Sequence, residues 1–218
     1  MYISGFTWNA GTFTPSTTTY EIYFSGTFKL EGSWPFATGV MYIVDDAVLM
    51  TTSGKTFSFY DLRVNSGANV FINTSCAVRN TFNVDGTAII KCSAYITLDW
   101  LGASYITGTG SISNSGTLII KSNGVSKGLA WSGPLGAIQF TTYGSASNTV
   151  TIGSDINCSS FVITGGATYL YTVDFNGYDL VATTISISTR AVLTNTGAEA
   201  TVTCSAFTQS GASSVVNR

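Results

Sequence analysis

The chain has 218 residues, 44% of them apolar or aromatic and only 9% charged, with nine Lys and Arg against eleven Asp and Glu for a net charge of −2. This is ample material for a core, but it lacks the clustered cations that phosphate binding needs and any basic amphipathic segment for a membrane surface. No stretch approaches the roughly 20 apolar residues of a membrane helix; Ser, Thr, Asn and Gly take the place of charge.

Along the chain, the N-terminus Met1-Tyr2-Ile3-Ser4-Gly5-Phe6 lacks the basic-then-apolar order of a signal peptide, and both ends read as those of a piece of a longer chain. Residues 1–55 read as irregular first coils or an N-terminal cap, because 12–20 are polar and Trp34-Pro35 interrupts a strand. From residue 56 to 218, short segments alternate with period two: Phe57/Phe59, Leu62/Val64, Val70/Ile72, Phe82/Val84, Val150/Ile152 and Ile185/Ile187. Each predicts a short strand with one buried face. Turn signals such as Asn65-Ser66-Gly67, Asp85-Gly86, Asn176-Gly177 and Asn195-Thr196-Gly197 separate them. Residues 124–137, rich in Gly and holding Trp131 and Pro134, read as a loop that leaves the main structure. Strands this short leave a sandwich, a barrel or a solenoid.

An internal repeat narrows the choice. Cys-Ser-(Ala/Ser)-aromatic begins at Cys92, Cys158 and Cys204, at spacings of 66 and 46 residues, or three steps of 22 and two of 23. Coils of that length suit a single-stranded parallel β-helix, with a β-sandwich or jelly roll as the alternative. Residues 81–86 also align with 104–108 after 23 residues. On this reading Tyr95, Phe161 and Phe207 share one column. Cys92, Cys158 and Cys204 share another, too far apart to bridge at about 4.8 Å per coil. Cys76 lies off that register, with Cys92 its only local partner.

The stretch from Phe57 to Thr87, with its strand, Asn65-Ser66-Gly67, strand phrase, resembles the repeats of large bacterial and archaeal surface proteins. So does Asn148 to Val181, with Phe175-Asn176-Gly177-Tyr178-Asp179-Leu180. The resemblance covers about residues 56–98 and 146–210. It implies a right-handed parallel β-helix used for adhesion or surface display.

Chemistry is sparse. Histidine is absent, which removes the commonest general base, His-dependent nucleophiles and most zinc sites. The acidic residues are isolated except for Asp45-Asp46, whose side chains would diverge in a strand. Asp85 and Asp179 read as turn residues. Phe57, Phe59, Phe82, Phe161, Phe175 and Phe207 fall on the apolar phase and read as core. Trp8, Trp34, Trp100 and Trp131 fall near turns and are the candidate glycan contacts, with burial under a loop as the competing reading. Repeated Thr-x-Thr pairs keep no coil period, so they do not form an ice-binding array.

The expectation is a non-catalytic structural or adhesive solenoid of the cell surface or extracellular space. It would need no cofactor or metal, and its partners would be glycan or copies of itself, not nucleic acid or a membrane interior. A viral tail-fibre or tailspike module, a polysaccharide lyase or hydrolase, and a filament subunit are the alternatives.

Overall fold

The structure is a computed structural model and describes residues 2–8, 21–31, 39–51, 57–92, 95–100, 106–122, 127–142, 146–212 and 214–217. Strands follow one another, with no helix among the described residues. The first third holds β1 (Tyr2–Trp8), β2 (Glu21–Leu30), β3 (Val40–Thr51), β4 (Phe57–Phe59), β5 (Asp61–Val64), β6 (Asn69–Ile72), β7 (Cys76–Val78) and β8 (Phe82–Val84). Then come β9 (Ile89–Cys92), β10 (Tyr95–Trp100), β11 (Ile106–Gly108), β12 (Ser111–Ser122), β13 (Lys127–Trp131) and β14 (Leu135–Thr142). The last are β15 (Asn148–Ile152), β16 (Ile156–Thr164), β17 (Tyr171–Asp174), β18 (Leu180–Ile187), β19 (Ala191–Asn195), β20 (Val202–Gln209) and β21 (Ser214–Asn217).

Every described pairing is parallel, and each joins a strand to its counterpart one coil away. Steps run from 19 residues, Ile22 to Met41, to 24, Phe82 to Ile106. The protein is therefore an all-β solenoid. A sandwich or jelly roll would require antiparallel pairs.

The strands fall on three faces. The first runs through the leading halves of β1, β2 and β3, then β5, β8, β11, β13, β15, β17, β19 and β21. The second takes the trailing halves of β1, β2 and β3, then β6, β9 and the leading ends of β12, β14, β16, β18 and β20. The third stacks β4, β7 and β10 under the trailing ends of β12 to β20.

Period-two alternation aims every second side chain inward, and stacking turns those side chains into columns. On the third face one column reads Phe57, Cys76, Ile96, Leu118, Ile138, Phe161, Ile185, Phe207. A second reads Phe59, Val78, Leu98, Ile120, Phe140, Ile163, Ile187, Gln209. All but Phe207 and Gln209, on the last coil, are buried. Each large aliphatic or aromatic side chain buried this way contributes about 1.5–3 kcal/mol.

Several expectations change. Phe161 and Phe207 share a column, as expected, but its member in the first repeat copy is Ile96, with Tyr95 one position out. Cys158 and Cys204 align across Ala182, whereas the column position in the first copy belongs to Ile90, not Cys92. The reason is corner length. Two residues separate the second and third faces between Cys158 and Phe161; five do so between Ile90 and Ile96. For a related reason Phe82 pairs with Ile106, not with Tyr105.

Within the segment 124–137, the described residues 127–137 do not leave the stack, and 124–126 lie outside the described residues. β13 pairs with β11 and β15, and Leu135 continues the column from Ile112 to Cys158. Nor are the described parts of 1–55 irregular. β1, β2 and β3 stack in parallel on the first two faces like the later strands, with register shifts at the corner beside Gly5 and Gly26. Both glycines have positive φ, of 73° and 79°, which a side chain would strain. Residues 9–20 and 32–38, including the polar segment and Trp34-Pro35, lie outside the described residues.

Candidate functional site

Trp131 is the one tryptophan among the four glycan candidates whose side chain is described, and it is fully buried. Its ring stacks on Phe82 at 5.8 Å, and its Nε1–H donates to the Gly110 carbonyl at 3.0 Å. Gly108 makes the room: a Cβ there would lie 2.7 Å from the indole. Trp131 is thus a core residue, and it presents no ring face to a sugar. The backbones of Trp8 and Trp100 end β1 and β10, and their side chains, like all of Trp34, lie outside the described residues.

The carboxylates do a common job at the corners. Asp46 accepts the N–H of Asn69 at 2.8 Å, Asp61 that of Thr81 at 2.7 Å, Asp155 that of Asp179 at 2.9 Å and Asp179 that of Thr201 at 2.6 Å. In each case donor and acceptor hold equivalent positions in successive coils. Each Asp stands just before an inward-facing residue, in the pattern Asp, apolar, any, apolar: Asp46-Ala47-Val48-Leu49, Asp61-Leu62-Arg63-Val64, Asp155-Ile156-Asn157-Cys158, Asp179-Leu180-Val181-Ala182. That pattern marks where a corner amide would otherwise lack a partner. Asp179 stands at a corner, as expected of a turn residue, but its carboxylate bonds Thr201 of the next coil and not its local backbone. Asp174 acts similarly, accepting from the N–H of Asn176 and from both N–H and hydroxyl of Thr196.

Asp45-Asp46 lies in a bulge. Ser25 alone separates Phe24 from Gly26, but three residues separate their partners Ile43 and Ala47. Asp45 accepts the N–H of Asp46 at 2.8 Å, and Asp46 accepts both the backbone and side-chain amides of Asn69. Those donors hold the Asp46 carboxyl below the usual carboxylate range, the Asn69 backbone N–H first. The two carboxylates therefore serve different partners.

On the first face Tyr2, Tyr23 and Tyr42 stack in one outward column, at centroid distances of 4.7 and 4.8 Å, and Arg63 caps the column 5.7 Å above Tyr42. The Tyr23 hydroxyl donates to Glu21 at 2.8 Å, which pushes its pKa up to about 12. Rings stacked along the axis spend their faces on each other and turn their edges to solvent. Tyr23 and Tyr42 thus offer little stacking surface to a ligand, whereas Tyr2, 80% exposed, has among the described residues a stacking partner on one face only.

The second face is different. A groove of about 420 Å³ opens there beside the Asp46 bulge. Thr27, Val48, Phe71 and Lys91 form its floor as one outward column over four coils, with Asp46 and Asn69 along one side. Phe71 is 43% exposed. Lys91 is exposed and has no hydrogen-bond or ion-pair partner among the described residues, whereas Lys29 on the same face pairs with Glu31. An exposed ring flanked by a carboxylate, an amide and an ammonium suits a sugar, which offers apolar C–H faces and hydroxyl edges. Nothing local marks Phe71 in the sequence: it sits on the outward phase of a strand otherwise like its neighbours.

Cys158 is buried, which pushes its thiol up to about 12, while Cys204 on the last coil is partly exposed; both are free thiols. Among the described residues no three metal-ligating side chains gather, and no helix is long and apolar enough to cross a membrane. No protein-family model, curated protein or solved structure matches the chain. The fold defines its class: a parallel β-solenoid.

Proposed function

We propose that this chain is a non-catalytic adhesive module of a cell-surface or secreted protein, a rod that presents the Phe71 groove to glycan. The single observation behind this reading is the exposed Phe71 ring beside Asp46, Asn69 and Lys91. The corner roles of Asp46, Asp61, Asp155, Asp174 and Asp179 support the non-catalytic part, since a glycosidase needs two carboxyl groups about 5–10 Å apart and free to react. A glycan array probed with the native chain and with Phe71→Ala tests it. Binding should disappear in the variant, whose side chain faces outward and leaves no core cavity. Array signals that survive the substitution would remove the groove from the proposal.

A second reading, end-to-end association of copies, is favoured by β20. Its Val202 and Phe207 are 45% and 47% exposed, although Ile185, one coil below Phe207, is only 1% exposed. Among the described strands β20 pairs with β18 alone, and an unpaired edge is the kind of surface on which a partner strand adds. Concentration-dependent sedimentation that Phe207→Glu abolishes would favour this reading; a monomer at every concentration would exclude it.

A further inference from the structure

We propose that the Phe71 groove selects sugars bearing a carboxylate, uronates in particular; this rests on the glycan reading above. Phe71 and Lys91 are direct neighbours in successive coils, which sets their Cα atoms about 4.8 Å apart. The ammonium is therefore within reach of a sugar ring laid on the phenyl face. Its charge is uncommitted among the described residues, in contrast to Lys29, which Glu31 neutralises.

The opposite end of the groove carries the opposite sign. Asp46 pairs with Asn69, whose own partner is Ile89, two residues before Lys91. Two coil steps of about 4.8 Å and two residues of about 3.3 Å place Asp46 and Lys91 about 12 Å apart. Asn69 bonds one oxygen of Asp46, and the other remains to accept a hydroxyl. The groove is thus polarised along its length: anion, apolar ring, cation. A uronate with its carboxylate toward Lys91 turns hydroxyls toward Asp46 and Asn69. The reverse orientation sets two carboxylates against each other. A neutral sugar keeps the stacking and hydrogen bonds but gains nothing from Lys91.

The test is an NMR titration of the full chain with tetragalacturonate and with its fully methyl-esterified counterpart, which keeps the rings and removes the charge. An exposed ion pair predicts binding about threefold to fivefold tighter for the acid. That advantage should shrink as salt rises and vanish in Lys91→Ala, while Phe71→Ala weakens both ligands. Equal affinities that both depend on Phe71 would overturn the acidic preference and leave the glycan reading standing. Failure of both ligands to bind would overturn the two together. Polyglutamate binding as well as tetragalacturonate, with no effect of Phe71→Ala, would show plain charge attraction and also overturn the proposal. Lys91 and Phe71 both point outward, so circular dichroism of the variants should match the native chain.

Discussion

Asp179 accepts the backbone N–H of Thr201 at 2.6 Å and itself donates its N–H to Asp155 at 2.9 Å, so one corner residue links three coils. The bonds run parallel to the solenoid axis, like the strand ladders, and close the gap that a corner leaves in them. Removing the acceptor in Asp179→Ala should cost about 1–3 kcal/mol, because a charge-assisted bond is lost and a corner amide loses its partner. Asp179→Asn retains an oxygen and should cost less. Urea denaturation of both variants gives the comparison. Equal stability of the alanine variant and the native chain would show that water replaces the bond without loss.

The Asp46 carboxyl is held below its ordinary value by the Asn69 amides. A depressed folded-state pKa means that the associated stability is complete above the unfolded carboxylate pKa of about 3.9 and is lost as pH falls through the lower folded value. Melting temperature should therefore fall less steeply below about pH 4 in Asp46→Asn than in the native chain. Parallel profiles for the two would show that the folded Asp46 titrates as an ordinary carboxyl.

Gly108→Ala should destabilise by about 1–3 kcal/mol through overpacking, since the new Cβ meets the Trp131 ring at 2.7 Å. Trp131→Ala should cost about 3–5 kcal/mol by opening a cavity beside Phe82. The double variant should cost less than the sum, because removing the indole frees the space that the Gly108 methyl needs. Strict additivity in thermal denaturation would separate the two sites.

Thiol reagents should discriminate between two cysteines of one column. Cys204, partly exposed on the last coil, should react with an aromatic disulfide at pH 8 in the folded state. Cys158, buried and with its pKa pushed up to about 12, should wait for unfolding. Cys204→Ser should remove one fast-reacting equivalent, and Cys158→Ser none. The opposite pattern would overturn the burial of Cys158 and the exposure of Cys204.

Alternation was enough to assign Phe57, Phe59, Phe82, Phe161 and Phe175 to the core, because burial on one face of a strand recurs every second residue; Phe207, assigned with them on the same phase, is instead 47% exposed, because phase does not say whether a further coil covers a side chain. The pairing of Phe161 with Phe207 was legible for a similar reason, since corners in that part of the chain keep one length. Where the corner lengthens between Ile90 and Ile96, the repeat motif slides out of register, and Tyr95 loses the column to Ile96.

The sequence by itself thus determined the short strands and the inward phase of each, and its repeat pointed to coils of 22 or 23 residues with a sandwich or jelly roll still open. Strand phase follows from local order, because side chains alternate along the backbone, whereas parallel pairing and the Asp bonds across the corners came from the tertiary structure. Only the tertiary structure decided that Trp131 is core, because the space it fills is made by Gly108 one coil away. Only it brought Asp46, Phe71 and Lys91 to one groove, 25 and 20 residues apart along the chain but on three successive strands. Which residues become neighbours depends on the number of residues in each turn of the solenoid, and that number varies with every corner.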